Sequence, residues 1–446
     1  MKMLKINKYL ARFAALAILT IPVIPNVANA EVTVLGWPGG PEEVALRASA
    51  QLYNSHPAVA EENKVKLIFF SRDGFFDKLQ ADLAVGTDAF DANLLATYSI
   101  GQYAPYLTPV TLSKNAEKVF GKSVLSTMQF EGKQYGVPTD LSLHFLYYRT
   151  DLISALLADT SQHEKYADIS EKYLNVRLTP KDPNIWTWQD FAANALYFTK
   201  SINADSPTRY GTVLQLKNLL FNMMVFHSMP RSYGADWMDA NGNITVDSDA
   251  YRQALGLAKI LVDAGATPKD SFSFEYAEAN AAFGSGQIAA MIQWNAAAAD
   301  LMDVEKTPTT AAVTSTIAPP SGPNGRFTHV HGLGLGINAN AKNPEGAAAF
   351  IQWLSTAEAA KVYALNGGAP GLTKDVVADI AKHRPDLVPL GDFASNYGFV
   401  MTGGTSGKAL SVYELQAKEF TAFLSGGKSL DDALAATAVG MAELLK

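Results

Sequence analysis

Two α/β lobes are the architecture this sequence predicts, and three observations predict it. Once an N-terminal leader is removed, about 416 residues remain, too many for one compact core and comfortable for two. Short apolar runs alternate with amphipathic helical stretches through the first hundred residues, the pattern of strands feeding helices. A longer and more helical middle follows, and then the sheet texture returns at residues 329–337.

The leader comes first. Lys2, Lys5, Lys8 and Arg12 form a positive start, residues 13–24 an apolar stretch broken by Pro22, and Ala28-Asn29-Ala30 a small-residue cleavage pattern. About a dozen apolar residues fall short of the roughly twenty that span a bilayer. Cleavage after Ala30 is therefore expected, with a membrane anchor as the alternative. The chain has no cysteine, which removes lipid attachment at the cleavage site, disulfides and thiolate metal sites together. A periplasmic location fits best and full secretion is the other reading. The leader holds four positive charges and no negative ones, so its loss takes the formal charge from −7 to −11. Clustered Lys and Arg are missing, and nucleic acid is not an expected partner.

The mature chain opens with the alternating run Val32-Thr33-Val34-Leu35, the turn Gly36-Trp37-Pro38-Gly39-Gly40, and Pro41-Glu42-Glu43, a helix-start signal. Residues 65–70 read as a second strand, 73–85 as a helix and 91–96 as a third strand. Strands alternating with helices imply a mostly parallel sheet whose ligands meet the carboxyl ends of the strands. Trp37, residues 71–74 and residues 97–102 gather on that edge. In the middle region, Thr187-Trp188-Gln189-Asp190 is a capping box and residues 238–246 a hairpin turning at Asn241-Gly242. Residues 249–264 and 275–283 are helices stopped by Gly265 and Gly284. Residues 287–293 form a strand that delivers Trp294 and Asn295. After the strand at 329–337, Asn343 caps a helix with Pro344 at its first position. Another runs over 356–366, and the last opens at Ser429 with a capping box. Residues 403–407, Gly-Gly-Thr-Ser-Gly, are the most linker-like stretch.

Several stretches in this order carry a resemblance. They are Leu83-Ala84-Val85-Gly86-Thr87-Asp88-Ala89-Phe90-Asp91, Tyr135-Gly136-Val137-Pro138-Thr139-Asp140 with Tyr147-Tyr148-Arg149-Thr150-Asp151-Leu152, Phe283-Gly284-Ser285-Gly286-Gln287-Ile288, and Gly334-Leu335-Gly336-Ile337-Asn338 with Asn343-Pro344-Glu345-Gly346. Their order and spacing resemble the extracellular solute-binding proteins of bacterial ABC importers, the sugar-binding group that includes maltose-binding protein. The resemblance implies two α/β lobes joined by strand crossovers around a ligand cleft. It places the crossings near residues 138–141, 331–336 and 370–373. The first lobe would then hold residues 31–138 and 331–372, the second 139–330 and 373–446. It also implies an ABC permease as partner, a monomer, no cofactor and no reaction.

A sugar has an apolar C–H face and a rim of hydroxyls, so its site needs flat rings beside planar polar groups. Trp37, in its glycine-rich turn, and Trp294, at a strand end, read as stacking platforms, with core packing as the rival reading. Trp186, Trp188, Trp237 and Trp353 read as structural. The resemblance adds Asp140 at the first crossing, a carboxylate able to accept from two hydroxyls, and Tyr413 as an aromatic of the second lobe. Asp88, Thr97, Tyr98, Asn222, Asn295 and His331 complete the candidates. Gly332, Gly334 and Gly336 would let a ligand or another backbone come close, which adds Gly332. His329 and His331 share a strand face but have no third metal ligand near in sequence, so no metal is expected. Residues 403–408 fail the P-loop spacing. An exported glycan hydrolase remains the alternative, though no carboxylate pair can be named for it. The same fold binding a polyamine or other cation also stays open on the charge of the mature chain.

Overall fold

The computed structural model describes residues 31–445, so the leader read at residues 1–30 lies outside the described residues. Val32–Gly36 is flanked in parallel by Val65–Phe69 and Ala92–Ala96. His331–Asn338 then runs antiparallel to Ala92–Ala96, and its far edge is shared by Gly136–Ser142 and the short Leu107–Thr108. A second sheet of three antiparallel strands holds His144–Arg149 between Ala290–Trp294 and Thr314–Ile317. The expected mostly parallel sheet is thus mixed. Only the first three strands follow the strand–helix–strand rule; the later ones arrive from distant segments, and their pairing direction is set by where those return.

Local signals placed the helices well. Gly39, at a φ of 82°, turns the chain into the helix Gly40–Ser55, whose first turn carries Pro41, Glu42 and Glu43. Thr187 and Asp190 cap Trp188–Tyr197 reciprocally, and the Asn343 side chain accepts from Gly346 N ahead of Pro344–Leu354. The strand expected at 287–293 runs instead over Ala290–Trp294. Residues 238–246 make a single bridge, Met238 to Ile244, because the Asp239 carboxylate takes the Asn241 and Asn243 amides that a longer ladder would have used. The linker-like residues 403–407 are packed: a Cβ on Gly101 would lie 2.7 Å from the Thr405 carbonyl oxygen.

The passages between the sheets lie side by side. Gly136–Ser142 pairs with His331–Asn338 and continues after one residue into the second sheet. Leu141 N donates to Ala369 O at 2.8 Å. A Cβ at Gly334 would stand 2.3 Å from Val137 O and one at Gly332 would stand 2.4 Å from Thr127 Oγ1, so protein atoms fill the space these glycines leave.

Candidate functional site

Between the two sheets lies a cavity with about 400 Å³ of space not filled by atoms, its mouth and open solvent included. The glycine-rich turn supplies Trp37, the loop after the second strand Arg72, and the loop after the third Tyr98. From the other side come Phe221 on Leu220–Phe226, Tyr276 at the start of Tyr276–Gly284, and Trp294 at its strand end. Glu42, Ser142 and His331 complete the polar lining.

The aromatic walls are held in place. Trp37 meets Phe75, Phe76 and Phe221 edge-on with centroids 5.4, 5.9 and 5.5 Å away, and the Arg72 guanidinium lies 4.7 Å from its ring centre. Trp294 packs 4.2 Å from the His144 ring and 4.9 Å from His331. Two ion pairs bridge the walls, Arg72 with Glu275 and Lys217 with Asp73, each at 2.9 Å.

Five residues that line this cavity each carry a buried polar atom with no partner among the described residues: Trp37 Nε1, Arg72 Nε, Tyr98 Oη, Tyr276 Oη and His331 Nδ1. An unpaired buried polar group costs roughly 1–3 kcal/mol, so a cluster of five marks a place where a guest completes the bonding. The inventory is two fixed N–H donors, two phenols able to donate or accept, and an imidazole.

Burial raises the Glu42 carboxyl to about 7, with the nearby Asp140 charge adding to the effect and Arg72 opposing it. Burial also raises the phenols of Tyr98 and Tyr276. His331 belongs to a cluster with His329, His227 and His144. Burial lowers all four rings, His227 to about 3, with mutual repulsion adding to the effect at His144, His329 and His331. Below the ordinary histidine value of 6.5 the unfolded chain takes up protons that the folded chain refuses, so stability falls as pH drops through that range. Glu42 and Glu414, both raised from 4.5 to about 7, act in the reverse sense over that range, and Asp140, also raised by burial, acts with them, three carboxyls against four imidazoles. The melting temperature is therefore expected to fall between pH 7 and pH 5, and His227→Leu to reduce the fall; a flat profile would contradict the buried neutral cluster.

Of the residues nominated from sequence, Trp37, Tyr98, Trp294 and His331 come together on the cavity. The others sit elsewhere, each with its own partners. Asp140 is buried, accepting from Tyr363 Oη at 2.6 Å and Ala369 N at 2.7 Å. Asn295 clamps Leu143 N and Leu141 O, and Thr97 Oγ1 accepts from Gly332 N at 2.8 Å. Asp88 is exposed and pairs with Lys342. Tyr413 packs 4.5 Å from Trp237 and bonds His329, with its ring 6.2 Å from Tyr98. Asn222 donates to Lys217 O and Phe274 O from the far side of Phe221. Gly332 faces Thr127.

Sequence reasoning missed Glu42, Arg72, Phe221 and Tyr276. Glu42 was read only as a helix-start acid, and Arg72 lay inside the loop already assigned to the strand edge; Phe221 and Tyr276 carried no local signal.

Residues 40–361 match the family described as bacterial extracellular solute-binding protein. Among solved structures, maltose-bound MalE3 of T. maritima superposes with a TM-score of 0.75 at 21% identity, over 93% of this chain and 100% of that one. The solute-binding protein of Agrobacterium vitis with bound D-mannitol gives 0.72 at 19% identity, over 93% and 98%. Both share the two-lobed fold. A lactose-binding protein of Rhizobium radiobacter is 30% identical over 130 residues, and the match spans 28% of this chain and 30% of the length of that relative.

Proposed function

This chain belongs to the bacterial extracellular solute-binding proteins, and from that premise we propose that its solute is a carbohydrate or polyol held between Trp37, Tyr98, Tyr276 and Trp294. The observation that supports the reading is an aromatic-walled cavity five of whose lining residues carry an unpaired polar atom, the mixture that C–H faces and hydroxyl rims require. Arg72, stacked on Trp37, places a positive charge where a polyamine would need none. The solute is bound and released with no bond made or broken.

The further parts of the proposal follow the family. The leader is cleaved after Ala30 and the mature monomer works in the periplasm, handing solute to an ABC permease without metal or cofactor. Among the described residues no helix is long and apolar enough to cross a membrane. Residues 31–138 and 331–372 form one lobe, 139–330 and 373–446 the other. The clustering of Asp140, Ala369 and the 331–338 strand supports crossings there. Solute contacts made only on closure shift the open–closed equilibrium.

Thermal unfolding with mannitol, ribitol, tagatose, maltose, lactose and spermidine tests the reading. Only the folded chain binds, so a true solute at a hundred times its Kd adds about 2.7 kcal/mol of stability. A sugar or polyol is expected to raise the melting temperature. A shift with spermidine alone would overturn the proposal.

Glu42 gives a second test. A hydroxyl-bearing solute favours the ionised carboxylate, which accepts two bonds where the protonated form must spend one oxygen as donor. Binding then releases a proton, and affinity rises with pH up to about 7 and levels off above. Calorimetry at pH 5.5 and pH 8 in two buffers of different ionisation heat measures this. Glu42→Gln is expected to flatten the profile.

A further inference from the structure

A second cavity lies on the other side of the Leu220–Phe226 helix from the solute cleft, enclosing about 700 Å³ of space not filled by atoms, mouth included. Phe221 of that helix faces the cleft, whereas Asn222, Met223, Val225 and Phe226 face the second cavity. The remaining walls come from the helices Trp188–Tyr197, Asp249–Asp263 and Ala409–Leu424, the segment 213–219, and Ile292.

Its walls are mostly apolar side chains. Unpaired polar atoms on its lining residues make it more than a packing fault. Trp188 Nε1, Gln215 Oε1 and Asn222 Oδ1 are buried and have no partner among the described residues, although all three residues line the cavity. The orientation of both amides follows from their bonds. Gln215 Nε2 donates to Gln293 Oε1, and Asn222 Nδ2 donates to the Lys217 and Phe274 carbonyls, which leaves each oxygen free. One donor and two acceptors therefore stand unpaired on residues of a mostly apolar lining. Lys217, the charged residue on the lining, has its ammonium on Asp73.

We propose that this chamber is a second binding site, distinct from the solute cleft, for a small uncharged amphiphile: a compact hydrocarbon body with one hydroxyl or amide end. The body fills the apolar walls while its polar end takes the Trp188 N–H and gives a proton to Asn222 or Gln215. A sugar fits poorly, because three polar partners cannot serve a full ring of hydroxyls and the unserved ones would be buried unpaired. A charged guest finds no free counter-charge on the lining.

Cyclohexanol is the probe, titrated into the mature chain carrying 13C-methyl methionine. Met223 and Met229 both line the chamber and report on it directly. Saturable shifts of these two methyl signals, with NOEs from the cyclohexyl protons, are expected. Ala258→Leu and Ala417→Leu fill the chamber from two different helices, so a folding failure in one leaves the other to decide. Each is expected to weaken cyclohexanol binding at least tenfold. No saturable shift up to the solubility limit would overturn the proposal, and so would a shift that persists unchanged in the filled variants.

Discussion

Trp294→Ala is expected to weaken binding of the stabilising sugar or polyol by at least thirtyfold, about 2 kcal/mol, the scale at which a buried aromatic contact dominates a binding site. The ring ends the Ala290–Trp294 strand, is 8% exposed, and stands across the cavity from the elements that carry Trp37 and Tyr98. Losing it removes a flat apolar wall. Its contact with His144 at 4.2 Å means that alanine also leaves a hole in the core, so the variant should melt lower as well. Calorimetric affinity measured well below the transition separates the two effects, and Trp294→Phe, which keeps a flat ring, should recover most of the binding. An unchanged affinity in Trp294→Ala would remove this residue from the site.

Asp140→Ala should do the opposite, costing stability far more than affinity. Its two carboxylate oxygens hold Tyr363 Oη and Ala369 N, residues more than two hundred positions away, where the chain passes between the sheets. Burial raises this carboxyl and the Tyr363 and Ala369 bonds pull it back, the balance of a buried acid kept in place by its donors. Alanine leaves both donors buried and unpaired, a loss of about 2–6 kcal/mol at roughly 1–3 each. A lower urea midpoint with an unchanged slope would show it. A variant that keeps its midpoint but loses solute would make Asp140 a direct ligand contact.

Much of the fold was legible because local rules reach that far. The turn at Gly39, the reciprocal cap of Thr187 and Asp190, and the Asn343 cap ahead of Pro344 are each written within a few residues. The strand edge was legible too: the loops carrying Trp37, Arg72 and Tyr98 follow the first three strands, and all three side chains meet on one cavity. The pairing of His331–Asn338 with Gly136–Ser142 was not, since alternating apolar residues fix a face and leave the partner open.

For single side chains the division is sharper. Residue type by itself determined which groups could serve a hydroxyl-rich guest, since a carboxylate, an amide, an indole and a phenol bring their donors and acceptors wherever they stand. Only the tertiary structure decided which of them are already spent. Asp140 is consumed by Tyr363 and Ala369, Asn295 by the 141–143 backbone and Thr97 by Gly332, while Tyr98, Tyr276 and Trp37, which line the cavity, each keep an unpaired polar atom. A hydrogen bond is satisfied by whatever lies within about 3 Å. In this chain those neighbours are often more than a hundred residues away, beyond the reach of any local pattern.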